Sequence, residues 1–495
     1  MAAPVICLPK EDLGRGTQLL TKKTLFAALY TSAAFAIASV TPASAMSLQE
    51  AIQKALTTNP QISQAVQNRE AVEFELRQAR GLYLPSVALE ASVGKRRLSN
   101  DSTGTLTQDY ETFNNSEVGL TVTQRLLDGG GRRAQVDQQA SRVDGASFRV
   151  LERSETVALQ VVQDYLEYIL QAKIVGVAKQ NVDFHNGILG DINQGISGGA
   201  LTEVDSLQGR ERLDAARARL REAQEELELT KIRFLKTVGE PITNAKVPAS
   251  VGKFLPRSLD DAIATAKSNN PRVYSARADI DAADAAVRAA RSNYAPTVDL
   301  EGRASVGNDV GSSQGNTNDV QVRLVARWNL YRGGIDQARE QEQIRRASEQ
   351  RYASDQVHRE IEESIRSAWN ERRSRGELSQ ILSSQSSQNA QLVSSYGEQF
   401  KIGQRSLLDV LDAQNTRFNT SIVAETARVA ALFAEYKILA ASGSLLKTMN
   451  VKAVGEADAY ARNEFSVKTT PNGAYVERDP RQKAGIPMDL LAPLQ

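Results

Sequence analysis

The chain repeats itself once, and this duplication restricts what it can fold into more than any other feature. Ser47-Leu-Gln-Glu-Ala-Ile52 matches Ser258-Leu-Asp-Asp-Ala-Ile263, Asn59-Pro60 matches Asn270-Pro271, and Leu82-Tyr83-Leu84-Pro85 matches Asn293-Tyr294-Ala295-Pro296, all at an offset of 211. Farther on, Gly129-Gly130 matches Gly333-Gly334, Gly199 matches Gly403, Asp205 matches Asp409 and Gly239 matches Gly443, at an offset of 204. The offset changes only where a loop between two strands shortens. A two-fold repeat of this size marks duplication of a domain-sized unit, not a short-period solenoid.

Each copy begins with a short helix ended by Asn-Pro, followed by a helix over 61–82 or 272–294 that Pro85 or Pro296 terminates. Beyond each proline the hydrophobic period becomes two. Val87, Leu89, Ala91 and Val93 alternate with Ser86, Ala88, Glu90 and Ser92, and Val118, Leu120 and Val122 alternate with Gly119, Thr121 and Thr123. In the second copy Val298, Leu300, Ala304 and Val306 alternate with Asp299, Glu301, Arg303 and Ser305. Val320, Val322, Leu324, Ala326 and Trp328 alternate with Gln321, Arg323, Val325 and Arg327. This predicts four strands in two hairpins, over 86–126 and 297–330, with loops at 95–116 and 308–318. A small soluble sheet with its apolar side on a core would show the same alternation. The charges of the second hairpin, and Trp328 and Tyr331 at a strand end as an aromatic girdle, point instead to lipid on the apolar face and water on the other.

After each hairpin a glycine turn opens a proline-free stretch, 132–197 or 335–397. Val136, Val143, Val150 and Val157 recur every seven residues beside Ala140, Ser147, Ser154 and Val161, the pattern of a coiled-coil seam. Such a helix reaches roughly 100 Å at 1.5 Å per residue. Return segments over 200–238 and 404–446 carry matching heptads, at Leu213, Leu220, Leu227 and Phe234 and at Ile422, Val429 and Tyr436. The lengths allow two shorter helices, stacked end to end, to lie along each long one.

The organisation expected from these signals is a cleaved signal peptide over 1–45, a first repeat over 46–242, a linker over 243–257, a second repeat over 258–450 and a largely irregular tail over 451–495. The leader rests on Lys22 and Lys23, the apolar run Leu25 to Val40, and the small-residue cleavage site Ala43-Ser44-Ala45. An uncleaved N-terminal anchor is the alternative. Cys7 lies far from that cleavage site and is the single cysteine, so the mature chain is expected to have neither a disulfide nor a lipidated first residue. No later stretch is long and apolar enough for a transmembrane helix.

Composition excludes several classes. With 60 Lys+Arg against 59 Asp+Glu there is no basic surplus for nucleic acid. With 2 His and 1 Cys, the usual Cys₄, Cys₂His₂ and His₃ metal sites cannot form in one chain. Gly129-Gly130-Gly131-Arg132-Arg133 lacks the Lys-Ser/Thr of a phosphate loop. No enzyme and no cofactor are expected. Trp369, His185 and His358 read as helix packing or surface.

Four strands cannot close a membrane barrel, because open edges in lipid leave backbone groups unpaired. The sheet must close between chains. Two copies would give a filled eight-stranded barrel and three a twelve-stranded one with an open lumen. The repeat motifs, together with Gly403-Gln404-Arg405-Ser406-Leu407-Leu408-Asp409-Val410-Leu411-Asp412, make the sequence similar over 47–447 to the TolC family of outer-membrane efflux and secretion ducts. The resemblance implies a mixed α and β membrane protein. Long antiparallel helical hairpins would form an α-helical barrel, and four strands per chain would contribute to a trimeric twelve-stranded β-barrel. It also implies a homotrimer in the outer membrane, docking to a periplasmic adaptor and, through it, to an inner-membrane pump. The passenger could be drugs or secreted substrates.

Asp409 and Asp412 lie three apart on one helix and so share a face. Around a three-fold axis they would stack two carboxylate rings, which select ions by their field. Ser406-x-x-Asp409 is also a capping box in outline, so Asp409 has a purely structural alternative; Asp412, whose counterpart is Gln208, does not. The resemblance further implies a gate latch in which Arg405 pairs with Asp205, with Phe400 where the family often has a tyrosine. It assigns adaptor contacts to the tips, at Gly199, Ala200, Leu201, Gly403 and Gln404. Helix-terminating glycines and a solvated arginine are the plainer alternatives at these positions. A structural or adhesive coiled-coil envelope protein is the competing function, though it leaves the four alternating strands without a purpose.

Overall fold

The computed structural model describes residues 46–99, 110–310 and 314–469. The expected leader, the outermost parts of both interstrand loops and residues 470–495 of the tail lie outside the described residues. The first repeat runs α1 (Leu48–Thr58), α2 (Pro60–Gly81), β1 (Ser86–Ser99), β2 (Tyr110–Leu127), α3 (Gly131–Ser197) and α4 (Glu203–Val238). The second runs α5 (Leu259–Asn269), α6 (Pro271–Arg291), β3 (Thr297–Asn308), β4 (Asn316–Arg327), α7 (Ile335–Lys401) and α8 (Leu407–Ala441), followed by the short turns α9 (Leu445–Thr448) and α10 (Ala461–Glu464).

The Asn-Pro pairs do more than end a helix. Asn59 accepts from the Gln61 N–H at 3.0 Å, capping α2, and its amide donates to the Thr237 carbonyl in the last turn of α4 at 2.9 Å. Asn270 repeats the arrangement, accepting from Arg272 N–H at 2.8 Å and donating to the Ala441 carbonyl at 2.8 Å. Proline then takes the first helical position, where its missing N–H leaves no bond unmade. One side chain thus splices α4 to α2, and another splices α8 to α6. Both spliced rods lie along a 67-residue helix, α3 or α7. Those long helices start from Gly130 and Gly334, at φ 85° and 80°, a left-handed backbone that favours glycine.

Every position of the α3 heptad seam is buried: Val136, Val143, Val150 and Val157 together with Ala140, Ser147, Ser154 and Val161. The two repeats are interlocked, not serial. α3 packs on α6 and α8 of the second repeat as well as on α2 and α4 of its own. Arg149 meets Asp279 at 2.6 Å, and Arg288 meets Asp137 at 3.0 Å. The linker is pinned by tyrosine hydroxyls. Tyr165 accepts from Lys246 N–H at 3.0 Å, and Tyr168 and Tyr436 donate to the carbonyls of Thr243 and Ala249 at 3.0 and 3.3 Å.

The described part of the tail, 451–469, is mostly irregular in backbone yet firmly held. Arg462 donates from Nε to Asp144 of α3 at 2.9 Å and from an Nη to Asp281 of α6 at 2.7 Å. The Ala461 N–H adds a second bond to Asp144 at 2.8 Å and the Arg462 N–H a third at 3.2 Å, and both aspartates are buried. One cation therefore clasps both repeats.

The strands form one antiparallel sheet in the order β1-β2-β3-β4. The β2–β3 pair joins the repeats, and β1 and β4 are left as edges within the chain. β1 and β2 reach farther than the expected loop at 95–116 allowed. Lys95 pairs with Asn114 and Arg97 with Thr112 in unbroken register. Polar residues on both faces hide that extension from a reading based on hydrophobic period.

Candidate functional site

The two faces of the sheet are built in opposite senses. On one, Leu89 is 73 % exposed, Val93 88 % and Val320 81 %, with Val87, Val118, Leu120, Val322 and Leu324 also uncovered. On the other, Asp299 is 2 % exposed. Arg125 reaches it from β2 at 2.9 Å and Arg327 from β4 at 3.0 Å. Glu301 pairs with Arg323 and Arg327, each at 2.9 Å, and Glu117 with Arg303 at 2.7 Å. A soluble sheet hides its apolar face and solvates its charges. This sheet leaves its apolar face bare and ties its charges into a cross-strand network. Burying bare apolar surface is favourable at about 25 cal/mol per Å², so that face needs an apolar cover.

At the junction with the helices the predicted girdle residues Trp328 and Tyr331 are 61 % and 81 % exposed. Trp328 Nε1 donates to the Tyr294 carbonyl at 3.0 Å, fixing the ring beside Tyr294, which is itself exposed. Tyr83 is exposed as well and lies under the Arg132 guanidinium, 4.8 Å from its ring centre. Tyr83 and Tyr294 are the repeat-equivalent aromatics of the helix-to-strand corners, so four exposed aromatic rings, not the two expected from the sequence, lie at this end of the sheet.

At the opposite end lie the tips. Ser406 and Asp409 form a full capping box: the Ser406 hydroxyl accepts from Asp409 N–H at 3.2 Å, and Asp409 accepts from the Ser406 N–H at 3.3 Å. Thr202 and Asp205 do the same for α4. Donation from the Thr202 N–H and hydroxyl, both at 2.8 Å, holds the Asp205 carboxyl below its usual range. Asp412, one turn past the cap, is exposed and carries no capping duty.

Within one chain Arg405 does not meet Asp205. It lies on the Tyr396 ring, 4.3 Å from its centre, donates to Gln399 Oε1 at 3.1 Å and approaches Asp409 at 3.9 Å. Phe400 packs with an apolar cluster of Ile188, Ile192, Leu407, Val410 and Leu411 that joins α3 to α8, an environment that suits a ring without a hydroxyl. The ionic contact between the repeats at this level is Lys401 with Asp191 at 3.6 Å, a pair the sequence reading missed because 210 positions separate its members. Higher in the same seam Gln414 donates to Asn181 at 2.8 Å, and both are buried. The tip turns differ in character. Gly199 and Gly403 hold φ 73° and 76°, Ala200 and Gln404 are exposed, and Leu201 folds back against Gly195. Ile402 and Val204 are exposed beside them, at 68 % and 71 %.

His185 is buried edge-on to Phe184, and burial together with Arg212 holds its pKa below the ordinary value. Trp369 packs beside Ile361 and Ile365. Among the described residues no metal-ligating cluster occurs, and no helix is long and apolar enough to cross a membrane.

Comparison with known proteins agrees with this geometry. The family described as outer membrane efflux protein matches residues 51–240 and 262–450, one match for each copy of the repeat. The chain is 26 % identical over 343 residues to outer membrane efflux protein BepC of Brucella suis biovar 1 (strain 1330), covering 68 % of this chain and 74 % of that one. It is 22 % identical over 430 residues to outer membrane protein TolC of Escherichia coli (strain K12), covering 81 % and 83 %. In fold it is similar to the outer-membrane channel OprN, with a TM-score of 0.70 at 19 % identity over 80 % of this chain and 90 % of that one.

Proposed function

The chain belongs to the outer membrane efflux protein family, and on that premise we propose that three copies close one twelve-stranded barrel in the outer membrane and continue it into the periplasm as a helical tunnel. The observation that carries this reading is the inverted sheet, with Val93 88 % exposed on one face and Asp299 2 % exposed on the other. Lipid covers the first face and water fills the space behind the second. The free edges β1 and β4 pair between copies, which leaves no backbone unpaired in lipid. Support for lateral assembly comes also from the helices. α7 leaves Tyr352 and Ile381 52 % and 65 % exposed, and α4 leaves Ile232 62 % exposed. These apolar residues await a neighbouring copy.

The duct is passive. An inner-membrane pump supplies the energy, and a periplasmic adaptor couples to the tips around Gly199, Ala200, Leu201, Gly403 and Gln404. Asp409 and Asp412, repeated about the three-fold axis, form the periplasmic constriction. Arg405 and Asp205 do not meet within a chain, so the latch between them forms across copies. It engages the Asp205 oxygen that Thr202 leaves over. Opening separates the inner helices once that contact breaks.

The test is a deletion strain. Loss of the protein should raise accumulation of a fluorescent efflux substrate, and the full chain should restore export. Unchanged accumulation with loss of a secreted protein would move the passenger from small molecules to polypeptide. A deletion that changed neither accumulation nor secretion would contradict the conduit reading.

A further inference from the structure

Four helices of the two repeats meet around the Asn270 splice and leave a cavity of about 220 Å³ between them. α3 contributes Glu152, Glu155 and Leu159, the start of α6 contributes Pro271 and Arg272, α7 contributes Ile361, and α8 contributes Lys437 and Ala440. Thr156 and Ser364, both exposed, mark its mouth.

The charges around this cavity do not balance. Both of its cations are already engaged, Arg272 by Glu360 and Lys437 by Glu371. Glu155 is engaged on one side alone. It is 6 % exposed, and one carboxylate oxygen accepts from the Leu446 N–H at 3.3 Å. Among the described residues no donor reaches the other oxygen, Oε2, which is buried. Glu152, one turn away on the same face of α3, accepts from the Thr156 hydroxyl at 3.2 Å, and no described cation forms an ion pair with it. A buried carboxylate oxygen without a donor costs free energy that a bound donor recovers. Burial also pushes the Glu155 carboxyl up to about 7, so a proton competes for this position at neutral pH and an arriving cation displaces it.

The walls select the rest of the ligand. Leu159, Pro271, Ile361 and Ala440 present hydrocarbon, which suits an organic cation better than a strongly hydrated inorganic one. Two carboxylates are too few for a metal, and among the described residues no group of three or more potential ligands gathers. The volume falls below the roughly 300–1,000 Å³ of a drug-sized pocket, so the ligand is small.

We propose that this cavity takes a small organic ammonium ion, whose N–H groups bond the Glu155 carboxylate while its hydrocarbon lies against Leu159, Pro271, Ile361 and Ala440. Nothing in the site depends on the sheet or on lipid, so it stands apart from the conduit reading.

The probes are benzylammonium and its neutral isostere benzyl alcohol. Each is titrated calorimetrically at pH 8 into the full chain in detergent, and the heat of titration into protein-free micelles is subtracted. A charge-assisted hydrogen bond predicts that benzylammonium binds at least about tenfold more tightly than benzyl alcohol. Glu155→Gln should remove that preference, because the amide keeps the shape and loses the charge. Glu222→Gln, on α4, which does not line the cavity, should keep it. If Glu155→Gln does not fold, Ala440→Met fills the cavity while leaving the carboxylate, and should abolish benzylammonium binding. Equal affinity for the two probes, no binding of benzylammonium, a preference unchanged in Glu155→Gln, an equal loss in Glu222→Gln, or undiminished binding by Ala440→Met would each overturn the proposal. Conductance of the same preparations separates the two readings. Protein that conducts but binds no ammonium sinks only the site, whereas protein that binds it but never conducts sinks only the channel.

Discussion

Arg125 and Asp299 face each other across β2 and β3 at 2.9 Å, and this pair, which joins the two copies of the repeat, lies on the face of the sheet opposite the bare Leu89. Charge placed on the Leu89 side should therefore be costly and charge on the Asp299 side tolerated. Leu89→Lys should destabilise the membrane-inserted protein by about 2–4 kcal/mol, while Thr121→Lys, one position over and inward, should cost about 1 kcal/mol or less. Heat stability of the trimer on detergent gels reads both. Equal losses would mean that the two faces do not see different solvents.

Replacing Asn59 or Asn270 removes a helix cap and a donor to a second helix in one step. Each alanine variant should cost about 1–2 kcal/mol. Asp at either position should recover part of that loss, because it still caps but has no N–H to give Thr237 or Ala441. Denaturant titration of the trimer followed by helix signal measures the series. Full recovery by Asp would show that the splice contributes nothing beyond the cap.

Arg462→Ala takes away the cation bonded to two buried carboxylates, Asp144 and Asp281. The expected loss is about 3–5 kcal/mol, and proteolysis should then release the 451–469 segment first. Arg462→Lys should recover little, because an ammonium lacks the fork that spans both acids. A protease-resistant Arg462→Ala variant would contradict the clasp.

Glu155 on α3 is buried, accepts from the Leu446 N–H at 3.3 Å at the start of α9, and has its pKa raised to about 7 by desolvation. The folded state thus keeps a proton that the unfolded chain gives up near 4.5. Stability from this group is whole below about pH 4.5 and declines as pH rises to about 7, by at most about 3 kcal/mol. Glu155→Gln keeps the acceptor and removes the titration, so it should flatten the pH profile and stabilise the protein above pH 7. Parallel profiles for the two proteins would show that the carboxyl is ionised throughout.

The sequence discloses what is periodic and local. The duplication, the two-residue period of the strands, the α3 heptad seam and the Ser406–Asp409 box all follow from spacing alone. It does not disclose contacts that tie distant positions by single polar groups. Asn59 reads as a terminator because its second partner, Thr237, is 178 residues away. Arg462 reads as part of an irregular tail because no period surrounds it and its acids lie 318 and 181 positions back. Lys95 to Arg97 read as loop because a strand leaving the lipid band loses the contrast that makes alternation visible. Arg405 shows a further limit. Its spacing matches a latch, yet the contacts it makes within its own chain are with Tyr396, Gln399 and Asp409.

The constriction proposed at Asp409 and Asp412 is open to a direct test. Because Asp409 also caps α8, alanine there would confuse charge with helix stability. Asn at both positions removes the charge while leaving an acceptor for Ser406. The decisive measurement is single-channel conductance and ion selectivity in planar bilayers for heat-stable trimers of the natural chain and of Asp409→Asn/Asp412→Asn. Two stacked carboxylate rings predict a small, cation-selective conductance that loses its selectivity and rises in the double variant. A selectivity and conductance unmoved by the loss of both carboxylates would place the constriction elsewhere, and demonstrably trimeric protein that never conducts would contradict the channel itself.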